Sequence, residues 1–248
     1  MSFHVLGWTG NIADATATSL TPITDQIFAI QNGNFFPTRA YQLLWAAGVG
    51  TNLTLGRLIT PFLRQVTTPY IRPLNNGADF PNLPGVADYR ANPFTLRGLE
   101  EIQLDGTQDS GGTSRVWFFS ALQEQPRPMP GGDIWTMRGT DTTTLVANSW
   151  TTLNVTWQDM LPAGTYEVVG LTATSASAKA VRIIFDDQIL RPGSICTVDI
   201  DNQTSDIFRK GRLGGWGRFD SNRMPNFEML ADAGDTAEEL YLDFVRVG

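Results

Sequence analysis

The sequence predicts an all-β protein made of two tandem domains, and three observations predict it. Short β-branched or aromatic runs separated by turn residues recur along all 248 residues, with no sustained helical periodicity. The chain also repeats itself: "FPTRAYQLLWA" at 36–46 returns as "LPAGTYEVVGL" at 161–171, so that Pro37 matches Pro162 and Tyr41 matches Tyr166 at a shift of 125 residues. Between the two halves lies "QEQPRPMPGGD", whose Pro126, Pro128 and Pro130 cannot donate to a sheet and whose Gly131 and Gly132 supply a bend.

The elements follow in order. Strands are expected near 16–21, 26–31, 40–47, 53–60, 64–72, 94–104 and 115–122, and again near 141–147, 151–157, 165–173, 178–186, 193–200, 225–230 and 238–247. "AKAVRIIFDD" shows the period of two directly, with Val181, Ile183 and Phe185 on one face and Ala180, Arg182 and Asp186 on the other. The shift aligns Arg57, Leu58 and Ile59 with Arg182, Ile183 and Ile184, and it runs without a gap back to Leu20, which it sets against Leu145. Phe28 then falls on Leu153 and Ile30 on Val155. The long stretch from Pro73 to Pro93 has no counterpart and is expected to be a functional or contact loop. The boundaries that result are an N-terminal arm at 1–12, a first domain at 13–125, a linker at 126–133 and a second domain at 134–248.

Composition narrows the function. Charged residues are 17% of the chain and the net charge is −7, with the basic residues scattered. Direct, sequence-specific nucleic-acid binding is therefore not expected, because neutralising phosphates takes clustered Lys and Arg. The one cysteine, Cys196, rules out an intramolecular disulfide and reads as a small buried apolar group. The opening "MSFHVLGWTG" lacks the pattern of a signal peptide and no run reaches the length of a membrane-spanning helix, so synthesis in the cytoplasm is expected.

Chemistry finds few candidates. With His4 the sole histidine, triads and histidine-bound zinc lack their usual base or ligands. Glu100–Glu101, Asp186–Asp187 and Glu238–Glu239 are adjacent on strands or turns and so point to opposite faces, which is the wrong arrangement for a pair working on one bond. "GRLGGWG" at 211–217 is not followed by Lys-Ser/Thr and reads as a flexible turn carrying Trp216, and "LDGTQDSGG" at 104–112 lacks the closing Glu of a calcium loop. No catalytic residue, metal ligand or cofactor site is assigned. An apolar arm holding Phe3, Val5, Leu6 and Trp8, together with Trp216 in its loop, is expected instead to contact neighbouring subunits.

Seven or eight strands per half fit an immunoglobulin-like sandwich, an up-and-down barrel or a jelly roll, and the residues alone leave that choice open. The repeated "FPTRAYQLLWA" and "LPAGTYEVVGL", the runs "LGRLIT" and "AVRIIF", and the closing "WGRFDSNRMPNFEMLADAGDTAEELYLDFVRV" carry an architectural resemblance. The chain resembles the double jelly-roll major capsid proteins of tailless icosahedral viruses, the lineage of adenovirus hexon and of membrane-containing bacteriophages. That resemblance implies two tandem eight-stranded jelly-roll β-barrels with little helix. It implies a virion protein that self-associates as a homotrimer, in capsomers of near-sixfold outline that meet neighbouring capsomers. Minor capsid proteins and an internal lipid membrane are further implied partners, with residues 1–12 at the inner face. The competing expectations are a two-module carbohydrate-binding protein, a minor coat or spike protein and, more remotely, a carboxylate-dependent glycosidase.

Overall fold

A computed structural model describes residues 3–13, 16–24, 28–50, 54–64, 70–71, 86–108, 113–125, 127–185, 191–196 and 206–248. The described chain is all-β: its helices are single turns, Pro61–Arg64 and Asp206–Phe208. It divides into two units, Val5–Gln125 and Pro126–Gly248, and the residues up to His4 belong to the second.

In the N-terminal unit the strands are β1 (Phe3–Ile12), β2 (Thr18–Ser19), β3 (Thr21–Pro22), β4 (Ala29–Gln31), β5 (Asn34–Phe36), β6 (Tyr41–Gly50), β7 (Thr54–Ile59), β8 (Tyr70–Ile71), β9 (Ala87–Asp88), β10 (Phe94–Leu96), β11 (Gln103–Gln108) and β12 (Ser114–Gln123). The C-terminal unit holds β13 (Ile134–Asp141), β14 (Trp150–Thr152), β15 (Thr156–Trp157), β16 (Thr165–Thr174), β17 (Ala178–Ile184), β18 (Gly193–Ile195), β19 (Gly217–Asp220), β20 (Asn226–Ala231) and β21 (Glu238–Arg246).

The C-terminal unit orders one sheet β15-β13-β21-β16-β19 and the other β14-β20-β17-β18. Set the short β15 aside and eight strands remain. First pairs with eighth, second with seventh, third with sixth and fourth with fifth, which is one long antiparallel ribbon wound onto itself, the winding of a jelly roll. The N-terminal unit repeats this order strand for strand: β3-β1-β12-β6-β10 in one sheet and β2-β11-β7-β8 in the other. Even the irregularity recurs. β6 bulges between Leu43 and Trp45 against β12, and β16 bulges between Val168 and Gly170 against β21, so the extra residues are Leu44 and Val169.

Strand pairing also shows where the repeat departs from one uniform shift. Tyr41 to Ile59 matches Tyr166 to Ile184 at 125, and Leu58 and Ile183 sit opposite the equivalent Leu104 and Phe227. Further upstream the match slips. Leu20 donates its amide to Leu104 and Leu153 to Phe227, so Leu20 corresponds to Leu153 rather than to Leu145. The difference is a hairpin present only in the first repeat: β4 and β5 turn through Asn32 and Gly33, both at positive φ, as a two-residue loop requires. An ungapped match back to residue 20 is therefore incorrect.

The expected arm is not an arm. Phe3–Ile12 is a ten-residue strand placed between β12 and β3, with Leu6, Trp8 and Ile12 in the core of the first unit. That core joins residues from both sheets, among them Leu43, Leu58 and Leu104, and Trp8 meets the Phe35 ring edge-on at 5.0 Å. In the second unit Tyr166, Phe219 and Phe244 form the matching aromatic group, with centroids 5.4–6.4 Å apart. The Tyr166 hydroxyl donates to the Pro162 carbonyl at 2.8 Å, which ties the start of β16 to the turn that precedes it in "LPAGTYEVVGL". Most of Pro73–Pro93 lies outside the described residues; its end supplies β9, paired to β6.

Leu58→Ala and Ile183→Ala fill equivalent, fully buried positions. Each is expected to cost about 2–5 kcal/mol, read from urea unfolding, and a cost below about 1 kcal/mol at either would deny the equivalence.

Candidate functional site

Among the described residues, no group of three or more His, Cys, Asp or Glu side chains could hold a metal ion. Cys196 is buried and burial pushes its thiol well above the ordinary range, so it is not a nucleophile. His4 lies inside β1, next to Arg191, rather than in a cleft. The adjacent carboxylates separate as strand geometry requires: Glu238 is buried while Glu239 pairs on the other face with Arg138 and the Tyr241 hydroxyl. Glu100 accepts from the Phe62 amide and Glu101 from the Asn32 and Asn34 side chains, both structural roles. Asp186 and Asp187 lie outside the described residues. Among the described residues no helix is long and apolar enough to cross a membrane.

The outer face of the β13-β21-β16 sheet carries a network of buried charge. Asp243 has no exposed surface, and its carboxylate accepts from Thr136 Oγ1 at 2.6 Å, Arg209 Nε at 2.6 Å, Arg209 Nη2 at 2.8 Å and the Lys210 amide at 2.9 Å. Although burial opposes ionisation, the Arg209 guanidinium and these donors hold Asp243 below the usual carboxylate range. Beside it, Glu167 accepts from Arg218 Nε at 2.9 Å and stands 3.5 Å from Arg127 Nη2. Gly211 donates to Val169 and Trp216 to Val168, so the segment Asp206–Trp216 is fastened across this face. A side chain on Gly170 would collide with Asp243 and with the backbone at Phe208 and Arg209, which is why the strand passes that point with a glycine.

This fastening corrects two expectations. "GRLGGWG" is a fixed cover, and Trp216 is fully buried beneath it with its ring 5.5 Å from that of Phe3. Phe3, Val5, Leu6, Trp8 and Trp216, expected to contact other subunits, are all buried within the chain. A side chain with no surface in one chain has none to offer a second.

Exposure falls elsewhere. Trp135 is 57% exposed and Ile134 39% exposed at the start of β13, and Met160 is 96% exposed in a loop. Sequence reasoning passed over them because the start of β13 lay beside the linker. Its signal is the alternation in "IWTMRGTD", where Met137 and Gly139 point inward.

Comparison with known proteins adds little at the level of sequence: no family model matches, and no curated protein matches. Two solved structures align along nearly the whole chain. The major capsid protein P2 from bacteriophage PM2 aligns at 11% identity and a TM-score of 0.23, covering 97% of this chain and 98% of that one. The STIV MCP aligns at 11% identity and a TM-score of 0.23, covering 97% of each. Values this low carry no argument, and the strand order stands on its own.

One buried acid is strained. Glu238, at the start of β21, is opposite Asp141 in the ladder and near Asp235, and among the described residues no side chain donates a hydrogen bond to its carboxylate, which only the backbone amides of Ala237 and Glu238 approach. Burial first, then the Asp235 and Asp141 charges, push it up to about 7. A raised carboxyl contributes stability that is complete below its unfolded value and lost as pH rises through about 7. Glu238→Gln is expected to flatten the fall in thermal midpoint between pH 5 and 8, and an unchanged slope would count against this carboxyl. Asp243→Ala is expected to cost about 3–5 kcal/mol in urea unfolding, because Arg209 is left without its carboxylate.

Proposed function

We propose that this chain is a structural shell protein, a major capsid protein whose trimers form capsomers of near-sixfold outline. The observation that carries the reading is the same eight-strand winding used twice in one chain, with the same register and the same bulge. Jelly rolls serve as capsid and lectin domains, and a duplicated one supplies two similar corners per chain. Three such chains make six corners, so threefold symmetry can fill a sixfold position in a shell. The side chains in view favour a building role over chemistry, since the buried Asp243 and Glu167 carboxylates are spent on Arg209 and Arg218 and the cysteine is inert.

The reading places the chain in the virion and makes other copies its main partner. Light scattering with electron micrographs of the purified protein tests it. Trimers of hexagonal outline, or shells, are expected; a monomer that binds glycans would replace this reading with the lectin one.

A further inference from the structure

The two repeats differ in what becomes of the start of their first strand. β1 begins in one unit and continues in the other: Phe3 and His4 belong to the C-terminal unit, whereas Val5 onward belongs to the N-terminal unit. The Phe3 carbonyl accepts from the Arg191 amide at 2.9 Å, and the Phe3 ring meets the edge of Trp216, which immediately precedes the sixth strand of that roll. The residues equivalent to Phe3 and His4 in the second repeat are Ile134 and Trp135. The ladders fix this match: Thr9 pairs with Thr21 in β3 as Thr140 pairs with Thr156 in β15, and Gly7 faces the Phe119 ring as Arg138 faces Tyr241.

Ile134 and Trp135 are thus the same element as Phe3 and His4, but they are exposed where Phe3 and His4 are 1% exposed. Among the described residues, nothing in their own chain covers them to that extent. The receiving position also repeats. Phe94 pairs with Leu43 as Gly217 pairs with Val168, so Pro93 stands where Trp216 stands. Around it the first repeat presents Tyr89 and Phe94, half-buried rings in edge contact at 5.2 Å.

We infer that Ile134 and Trp135 dock on the Tyr89, Pro93 and Phe94 surface of a second copy of this chain, reproducing between chains the packing that Phe3 makes within one. The inference rests on the self-assembly reading above and names its surface. The contact joins the second repeat of one copy to the first repeat of the next, and such head-to-tail contacts close into a ring when their rotation permits. A tryptophan is the residue type that anchors interfaces, offering a large apolar area at small entropic cost.

Trp135→Glu tests it. It is expected to weaken self-association about 30-fold or more by sedimentation or light scattering, with the thermal midpoint unchanged at a dilution where both proteins are monomeric. Met160→Glu, at an exposed residue outside the proposed contact, is expected to leave association unaltered. In a Trp135→Cys, Pro93→Cys double variant, a short bis-maleimide is expected to link separate chains, which neither single variant allows. Native Cys196 does not interfere, being fully buried. A Trp135→Glu protein that assembles like the wild type, an equal loss in Met160→Glu, or a link formed only within one chain would overturn the inference while leaving the shell reading in place. A wild-type protein that stays monomeric at every concentration would overturn both.

Discussion

Each roll is closed by its own last strand. β21 lies between β13 and β16, and β12 lies between β1 and β6, so the eighth strand separates the first from the third and supplies hydrogen bonds to both. Thr136 and Asp243, 107 residues apart, are brought to 2.6 Å by that insertion. Until the eighth strand arrives, the first has no neighbour on its inner side and the third lacks one of its two ladders. Loop closure over a hundred residues precedes the contacts that offset it, which places this fold among slow, cooperative folders. The same constraint explains the apolar runs: strands at the middle of a sheet covered on both sides need burial on both faces, as in Tyr41–Gly50, where nine of ten residues are buried.

This placement also decides what could be read in the sequence. The β-rich class and the strands β6, β7, β12, β16, β17, β20 and β21 were legible, because their apolar and β-branched runs are long enough to show a period. The first strand of each roll was not. "FHVLGWTGNI" is broken by Gly7 and Gly10, and "IWTMRGTD" follows directly on a proline-rich linker, so one reads as an arm and the other as linker edge. Their strand character comes from the eighth strand beside them, a partner more than a hundred residues away that no local pattern announces. β19 was hidden for a similar reason: the glycines of "GRLGGWGRF" permit a close approach to β16 and Glu167, and in sequence that need resembles flexibility. Trp135 is one of seven tryptophans in the chain, and nothing in the residues beside it distinguishes it. Trp8 and Trp216 were singled out because they lay in apparent arm and loop, and both prove to be core.

The two copies have diverged most on one face. On the outer side of the first repeat's larger sheet stand Val5, Trp45, Ala47, Val49, Phe119 and Ala121, all buried and apolar. The equivalent positions of the second repeat are Thr136, Gly170, Thr172, Thr174, Tyr241 and Asp243, with the Asp206–Trp216 segment fastened over part of them by Arg209 and Lys210. Apolar burial is indifferent to direction, whereas the Asp243 cluster works in a single geometry, since each carboxylate oxygen is aimed at a particular donor. One winding therefore carries two kinds of wall, one sealed by packing and one by oriented charge.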